Sequence, residues 1–507
     1  MNEWGLRSQV RQRLGEETGM LLKEATFRMA LCYPSPYSVG MSSLGFQAIY
    51  REIHLHPGVA AERAFLPDSP ADYRRSRTPV FSYESERPLS EFRVLAFSIS
   101  YELEITGLFE MLDLSGIPLL RENRGARHPL IVAGGPLTNS NPLPLAPFVD
   151  LIILGEGEEL VHTFLAAAAA MDRAKLLECF ARTPGCYVPG VSADLPCIAK
   201  VDDLRLPARS QILTPNTVLS SMFLVEAERG CSRGCTYCVM RRTTNGGMRL
   251  VPVETVLSSV PEHAKRVGLV GAAVTDHPDI RKIVRGIVDT GRKIGISSLR
   301  ADRLDEELVS LLARGGYRTL TTASDGATQR LRNLVARRTT EQHLIRAAQL
   351  VKRCGIRQLK LYELIGLPTE TCDDIDELIR FSRELATIVP VSLALSPFVP
   401  KRNTPLDGLE FEPVASIGQK LARLRAGVKG KVELRSTSAR WAWVEFMLSQ
   451  GDERAGLAAM DAWQEGGTYA AWELAFTRRG AKPLRGRAVP DGRRTPPLFG
   501  VQSSPGA

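Results

Sequence analysis

Three cysteines lie close together in the segment GCSRGCTYC, at positions 231, 235 and 238. The C-x3-C-x2-C spacing lets one loop wrap a corner of a four-iron cluster, because thiolate is the usual ligand of iron in iron–sulfur proteins. Three thiolates leave one iron open, where a chelating molecule can bind and receive an electron directly. Cys231, Cys235 and Cys238 are therefore predicted to be metal ligands and catalytic residues.

Structural zinc is the alternative for such a motif. Zinc takes four Cys or His ligands that are normally close in sequence, and His263 follows Cys238 only after 25 residues, without a partner motif. Nine cysteines in 507 residues exclude a disulfide scaffold. The other six cysteines are irregularly spaced, and we expect them to be packing residues: Cys32, Cys179, Cys186, Cys197, Cys354 and Cys372.

The net charge of +9 is concentrated at one end of the chain. From Ala475 onwards there are seven basic residues and one acidic residue. Residues 476–507 therefore read as a basic, disordered tail, through which alone we expect any nucleic-acid contact. No apolar run approaches the roughly 18 residues of a membrane span, and the first residues do not resemble a signal peptide. We expect a cytoplasmic protein that does not bind membranes.

The elements that must position the cysteines follow an alternating pattern. Short apolar strands alternate with helices both before and after a Pro-rich segment, which is typical of parallel α/β folds. We expect a doubly wound parallel sheet first and then a partial (β/α)6 barrel of six strands, with the cysteines directly after the first barrel strand. Chemistry in such barrels takes place at the carboxyl ends of the strands. The predicted units are an N-terminal helix (1–25), a sheet domain (26–175), a linker (176–215), the barrel (216–405), a helical region (406–475) and the tail (476–507).

At the cysteine loop the sequence resembles the radical SAM superfamily. The family signature is C-x3-C-aromatic-C, and Tyr237 fills the aromatic position. The resemblance implies a 4Fe-4S cluster whose open iron binds S-adenosylmethionine (SAM). It also implies a reductant such as flavodoxin or ferredoxin, and cleavage of SAM to a 5′-deoxyadenosyl radical that takes hydrogen from a substrate.

Further family motifs are matched only in part. After the second barrel strand the family has Gly-Gly-Glu, which contacts the amino group of SAM, whereas this chain has Gly271, Ala272 and Ala273. The carboxylate is missing, and Thr275, Asp276 or the backbone is left to replace it. The segment LYELIGLPTET resembles the region near the adenine. The predicted SAM contacts are Tyr237, Gly271, Ala272, Asp276, Arg300, Ser324, Ile365 and Gly366.

The N-terminal part resembles the cobalamin-binding domain of B12-type radical SAM proteins. Small residues at strand ends would let a flat corrin approach the backbone. The Asp-x-His-x-x-Gly motif that ligates cobalt in other corrinoid domains is absent, because the matching loop, YPSPYSVGMSSLG, has no histidine. Either cobalt has no protein ligand, or the domain docks a substrate or partner instead. The predicted corrin contacts are Tyr37, Ser42, Ser98, Ser100, Gly134, Gly135, Gly155 and Glu156.

Three functions remain open from the sequence. The first is a radical SAM enzyme that methylates an unactivated carbon with cobalamin. The second is a methylthiotransferase-like enzyme that modifies RNA or protein without cobalamin, although such enzymes carry three N-terminal cysteines and this sheet domain offers only Cys32. The third is a non-enzymatic iron–sulfur scaffold or sensor. The substrate is not indicated.

Overall fold

The N-terminal domain is built on a six-stranded sheet, in a computed structural model that describes residues 1–240 and 247–483. The strand order is β2-β1-β3-β4-β5-β6, with β1 to β5 parallel and β6 antiparallel. This order, with its reversal between β1 and β3, is that of a doubly wound fold, as predicted. The elements are α1 (Glu3–Gly15), β1 (Phe27–Tyr33), α2 (Tyr37–Gly40), α3 (Leu44–Leu55), β2 (Val59–Phe65), α4 (Pro70–Ser76), β3 (Val94–Ser98), α5 (Ile105–Leu114), β4 (Leu130–Gly134), β5 (Leu151–Ile153), α6 (Glu158–Ala170), α7 (Arg173–Ala181) and β6 (Cys186–Tyr187).

Two expected boundaries in this half differ from the structure. The N-terminal helix ends at Gly15 rather than near residue 25, and Thr18 forms a β-bridge with Leu213. The expected linker, 176–215, is folded onto both neighbours: it holds β6, and Arg209 pairs with Val225 of the barrel. These short segments are held by backbone hydrogen bonds. Their side chains therefore show no periodic pattern from which the pairing could be predicted.

The barrel contains the six predicted parallel strands. They form two ladders, β11-β10-β7 and β12-β13-β14, which meet where the Thr322 hydroxyl donates to the Leu299 carbonyl over 2.7 Å. Their helices bury apolar stripes against the outer face of the strands. The elements are β7 (Phe223–Glu226), β8 (Glu228–Gly230), β9 (Met248–Leu250), α8 (Val253–Ser258), β10 (Arg266–Val270), α9 (Ile280–Val288), β11 (Lys293–Ile296), α10 (Glu306–Arg314), β12 (Thr319–Ala323), α11 (Gln329–Leu334), α12 (Glu341–Arg353), β13 (Gln358–Ile365), α13 (Cys372–Ile388) and β14 (Val391–Pro397).

The C-terminal region was expected to be helical throughout. In the structure it also adds a strand to the barrel. It comprises α14 (Val414–Val428), β15 (Glu433–Ser436), α15 (Ala439–Gln450), α16 (Glu453–Gln464) and α17 (Tyr469–Arg478), and β15 pairs in parallel with β14. The first residues of the expected disordered tail are also folded: Arg478 pairs with Glu465 and Arg479 with Asp461. The rest of that tail, 484–507, lies outside the described residues.

Three parts of the chain meet at the segment 400–403, which we call the joint. Asn403 Nδ2 donates to the carbonyl of Ser140 in the N-terminal domain, and Arg402 donates to the carbonyl of Gln450 in α15. Asn141, in turn, donates to the carbonyls at the end of α15. On the other side of the barrel, Leu44 of α3 packs with Leu224 of β7. The sheet domain is thus fastened to both ends of the barrel wall.

Among the helices of the described residues, none is long and apolar enough to span a bilayer.

Candidate active site at the cysteine loop

The three cysteines lie on a loop that directly follows β8, at the carboxyl end of the first barrel strand. The N–H of Cys231 donates to the carbonyl of Gly247 over 3.0 Å, and the N–H of Cys238 donates to the carbonyl of Cys235 over 3.3 Å. Thr236 donates to the carbonyl of Val335, just after α11, over 3.1 Å. These bonds close the loop on itself and fix it to the barrel. Cys235 is buried, and the other two cysteines are half-buried.

The three thiols are not gathered around one point that could hold a single metal ion. Across residues 1–240 and 247–483, no three His, Cys, Asp or Glu side chains come close enough to share one metal ion. A cubane presents a different iron to each thiolate, so its ligands stand further apart than those of one zinc. Burial raises the pKa of Cys231, and raises that of Cys238 to about 11. Both thiols therefore keep their protons until a metal binds and displaces those protons.

Arg233, between the first two cysteines, clamps the loop to the barrel. Its guanidinium forms a two-point ion pair with Asp276, after β10, and contacts Asp302 over 3.2 Å. Burial alone would raise the pKa of Asp276, but the hydrogen bonds and charge of Arg233 outweigh it and keep the pKa below its usual value. Asp276, predicted as a SAM contact, is thus already paired with Arg233 and Arg303.

Tyr237, the aromatic residue of the motif, forms a second attachment. Its hydroxyl donates to Asp325 Oδ2 over 2.7 Å, and Arg337 pairs with the same oxygen over 2.9 Å. The N–H of Asp325 donates to the carbonyl of Tyr362 in β13. The motif tyrosine therefore ties the cysteine loop to the ends of β12 and β13.

The remaining predicted SAM contacts divide into two groups. Arg300 lies close to the loop, because it pairs with Asp302, which Arg233 also contacts. The side chains of Ser324 and Ile365 are engaged within the protein instead. The Ser324 hydroxyl donates to the buried Glu363, and Ile365 packs in the core. Gly366 has φ +81°, and its N–H donates to Glu370 within the same turn.

Glu228 is a site residue that the sequence analysis missed. It begins β8, three residues before Cys231, and its side chain is fully buried. Its Oε1 accepts the N–H of Ala273, after β10, over 2.7 Å. A Cβ at position 271 would lie 2.2 Å from the same oxygen, so any larger residue there would have to displace the carboxylate. Burial raises the pKa of Glu228 to about 7. The only signal in the sequence is an acidic residue three positions before the first cysteine of the motif.

The inner face of the second ladder is polar and open. In a filled barrel the inward positions carry bulky branched side chains. Here the positions of β13 that alternate with its buried residues include Lys360 and Tyr362, and Tyr362 is 45% exposed. The ammonium of Lys360 lies 4.8 Å from the centre of the Tyr362 ring. Because the Tyr362 backbone bonds to Asp325, this face begins next to the cysteine loop.

The predicted corrin contacts are mostly used within the protein. Tyr37 is buried and donates to Glu17 over 2.6 Å, and Ser42 donates to the carbonyl of Ser38. Ser100 bonds to Tyr33, and its N–H donates to Glu104, whose pKa burial raises.

Gly135, Gly155 and Glu156 are likewise in contact with other segments of the protein. A Cβ on Gly135 would lie 2.7 Å from the carbonyl oxygen of Ile99, and one on Gly155 would lie 2.6 Å from that of Ala199. Glu156 pairs with Arg249 of the barrel. By contrast, Ser98 and Gly134, which face each other across β3 and β4, are half-exposed strand ends.

Comparison with known families assigns both halves of the chain. The model for the N-terminal region of radical SAM proteins matches residues 45–189, and the model for the radical SAM superfamily matches residues 225–382. The chain belongs to the radical SAM superfamily. Its cofactors are therefore a 4Fe-4S cluster and SAM, and the cysteine loop lies inside the second match.

Two relatives extend the comparison. An uncharacterised protein of Methanocaldococcus jannaschii is 25% identical over 437 residues, which is 84% of this chain and 89% of the relative. An uncharacterised methyltransferase of Pyrococcus horikoshii is 23% identical over 278 residues, 50% of this chain and 58% of its own length. The first covers sheet domain and barrel alike.

Among solved structures, this radical SAM chain is similar to OxsB, a cobalamin-dependent SAM radical enzyme with aqua-cobalamin and SAM bound. The TM-score is 0.50 at 16% identity, over 72% of this chain and 52% of OxsB. The chain thus spans about half the length of OxsB, and at this identity the likeness shows the fold alone. It confirms the predicted combination of a doubly wound sheet with a radical SAM barrel.

Proposed function

We propose that this radical SAM protein is an enzyme that cleaves SAM reductively at a cluster held by Cys231, Cys235 and Cys238. The observation that carries the proposal is a loop with three thiols, two of them half-buried, beside an open, polar barrel face. With cluster and SAM bound, the site would supply a 5′-deoxyadenosyl radical, as superfamily membership implies. A flavodoxin or ferredoxin is the proposed source of electrons.

The protein's own residues position these groups. Arg233 and Tyr237 fix the loop at two points, so that the thiols keep their separation while iron is loaded. The substrate would lie on the inner face that carries Lys360 and Tyr362, because that face starts at the strand ends to which the loop is tied. Holding reactants in line supplies much of the rate in such reactions, while the difficult chemistry belongs to the cofactors.

We propose methyl transfer with cobalamin as the reaction class. Support comes from the likeness of the fold to OxsB, the name of the Pyrococcus horikoshii relative, and the half-exposed Ser98 and Gly134. The other predicted corrin contacts bond within the protein and do not fit as ligands.

The decisive experiment is anaerobic reconstitution of the full chain with iron and sulfide. We expect about four irons per chain, and 5′-deoxyadenosine on addition of dithionite and SAM. Absence of 5′-deoxyadenosine from the iron-loaded wild type would refute the enzyme proposal. A visible spectrum after incubation with hydroxocobalamin tests the second part: no retained corrin after desalting would refute methyl transfer from cobalamin.

Methylthiolation of RNA is the alternative that the comparisons raise. A tRNA-2-methylthio-N(6)-dimethylallyladenosine synthase of Bacillus thuringiensis is 24% identical over 215 residues, 39% of this chain. Against this alternative, Cys32 is fully buried within β1, and burial raises the pKa of its thiol far above the usual value. It is not available as the ligand of a second cluster, so we do not favour this function.

A further inference from the structure

One carboxylate beside the cysteine loop lacks a cation. Asp276 pairs with Arg233, Asp325 with Arg337, and Glu226 with Arg229. Glu228 forms no ion pair with any residue of the described chain, and its Oε2 has no hydrogen-bond donor there. A buried polar atom that lacks a partner costs free energy, so such an atom usually marks the place of a ligand or water.

The protein is built to hold this carboxylate in place. Oε1 is fixed by the N–H of Ala273, while Gly271 leaves the space that the carboxylate occupies. Both residues follow β10, at the strand end next to the loop. Oε1 therefore acts as the anchor, and Oε2 is left as an acceptor.

The chemistry of the cofactor supplies a matching donor. The amino group of SAM carries N–H donors, and binding to iron makes them more acidic. In this chain the strand end after β10 carries Gly271, Ala272 and Ala273, with no carboxylate of its own. A carboxylate from β8 reaches this same strand end.

We propose that Glu228 Oε2 accepts a hydrogen bond from the α-amino group of SAM, so that β8, just after the first barrel strand, supplies an acceptor which the end of the second barrel strand lacks. This assignment rests on the proposed function. It makes Glu228 a SAM-binding residue and Gly271 the residue that positions it.

The test compares two ligands by equilibrium dialysis on anaerobically reconstituted protein: SAM, and S-adenosyl-4-methylthiobutyrate, which lacks the amino group. In Glu228→Gln the amide oxygen can still accept the N–H of Ala273, so the fold is retained. We expect the affinity for SAM to fall about 10- to 100-fold, the effect of losing one charge-assisted hydrogen bond. The affinity for the analogue should change less than about twofold, since it carries no donor for Oε2.

Glu226→Gln is the matched control, because it removes a charge two residues away whose oxygens are already bonded to Arg229 and to the N–H of Ala208. It should change neither affinity. If Glu228→Gln does not load iron, Gly271→Ala decides instead: it keeps the charge but displaces the carboxylate, and should weaken SAM selectively.

Two outcomes would overturn the assignment: unchanged SAM affinity in a folded variant, or an equal loss for SAM and the analogue. A wild-type protein that loads iron but binds no SAM would instead overturn the proposed function itself.

Discussion

Gly456 tests how tightly the C-terminal helices are docked on the sheet domain. It is the fourth residue of α16 and is buried. A Cβ at this position would lie 2.0 Å from the carbonyl oxygen of Pro144 and 2.8 Å from its carbonyl carbon. The obstacle is backbone, which cannot rotate away as a side chain can. Gly456→Ala must therefore push the helix from the domain.

Two opposing effects decide whether Gly456→Ala raises or lowers the stability of the protein. In a helix interior, alanine is more favourable than glycine by about 1 kcal/mol. Forcing an extra carbon into a closely packed contact costs about 1–3 kcal/mol, and more where the neighbour cannot move. The approach of 2.0 Å is far inside van der Waals contact, so the upper end of that cost applies. We expect Gly456→Ala to destabilise the protein by about 2 kcal/mol net.

The assay is chemical denaturation, with Gly418→Ala as control. Gly418 is exposed in α14, and a Cβ there would meet nothing within 4 Å. This variant should show the propensity gain alone, so its urea midpoint should rise while that of Gly456→Ala falls. If both midpoints rise together, α16 is not in contact with Pro144, and the docking described above is wrong.

Three further outcomes follow from the site. Cys238→Ala should lose most of the reconstituted iron, whereas Cys354→Ala, far from the loop, should retain it; equal iron in both would refute the ligand assignment. Arg233→Gln should lose iron to a chelator about tenfold faster, because the loop is then released from Asp276; an unchanged rate would show that the clamp is not needed. Burial raises the pKa of Glu363 to about 8, so its contribution to stability is present at low pH and is lost as the pH rises through 8. Between about pH 4.5 and 8 the free energy of unfolding should fall by up to about 1.4 kcal/mol per pH unit, and Glu363→Gln should remove this slope in urea titrations at several pH values.

The alternating strands and the cysteine loop could be predicted because each carries its signal locally. The six barrel strands are short apolar or alternating runs, separated by helices with a clear 3.6-residue period. The spacing of the three cysteines is itself what ligation of a four-iron cluster requires, so the motif can be recognised without the fold. The half of the site that could not be predicted depends on distant partners: Glu228 gains its role only because Gly271, 43 residues later, lies beside it.

β2 and β15 show why some strands could not be predicted from the sequence. β2 contains Glu62 and Arg63, both fully buried, and Arg63 is neutralised by Glu17 and Glu84. Charges inside a strand contradict the apolar pattern unless these partners are known. β15 is four residues of mostly polar sequence at the edge of its sheet, so its place is set by backbone pairing with β14 rather than by its own composition.

The joint at 400–403 also bears on how the protein is made. Domains generally fold in the order in which they leave the ribosome. The sheet domain emerges first, yet the side-chain amide of Asn141 donates to two carbonyls at the end of α15, those of Leu448 and Gly451, which lie about 300 residues later. During synthesis the loop that carries Asn141 therefore stays without these two acceptors until α15 has been made, so the contact between the sheet domain and the C-terminal helices is among the last to form.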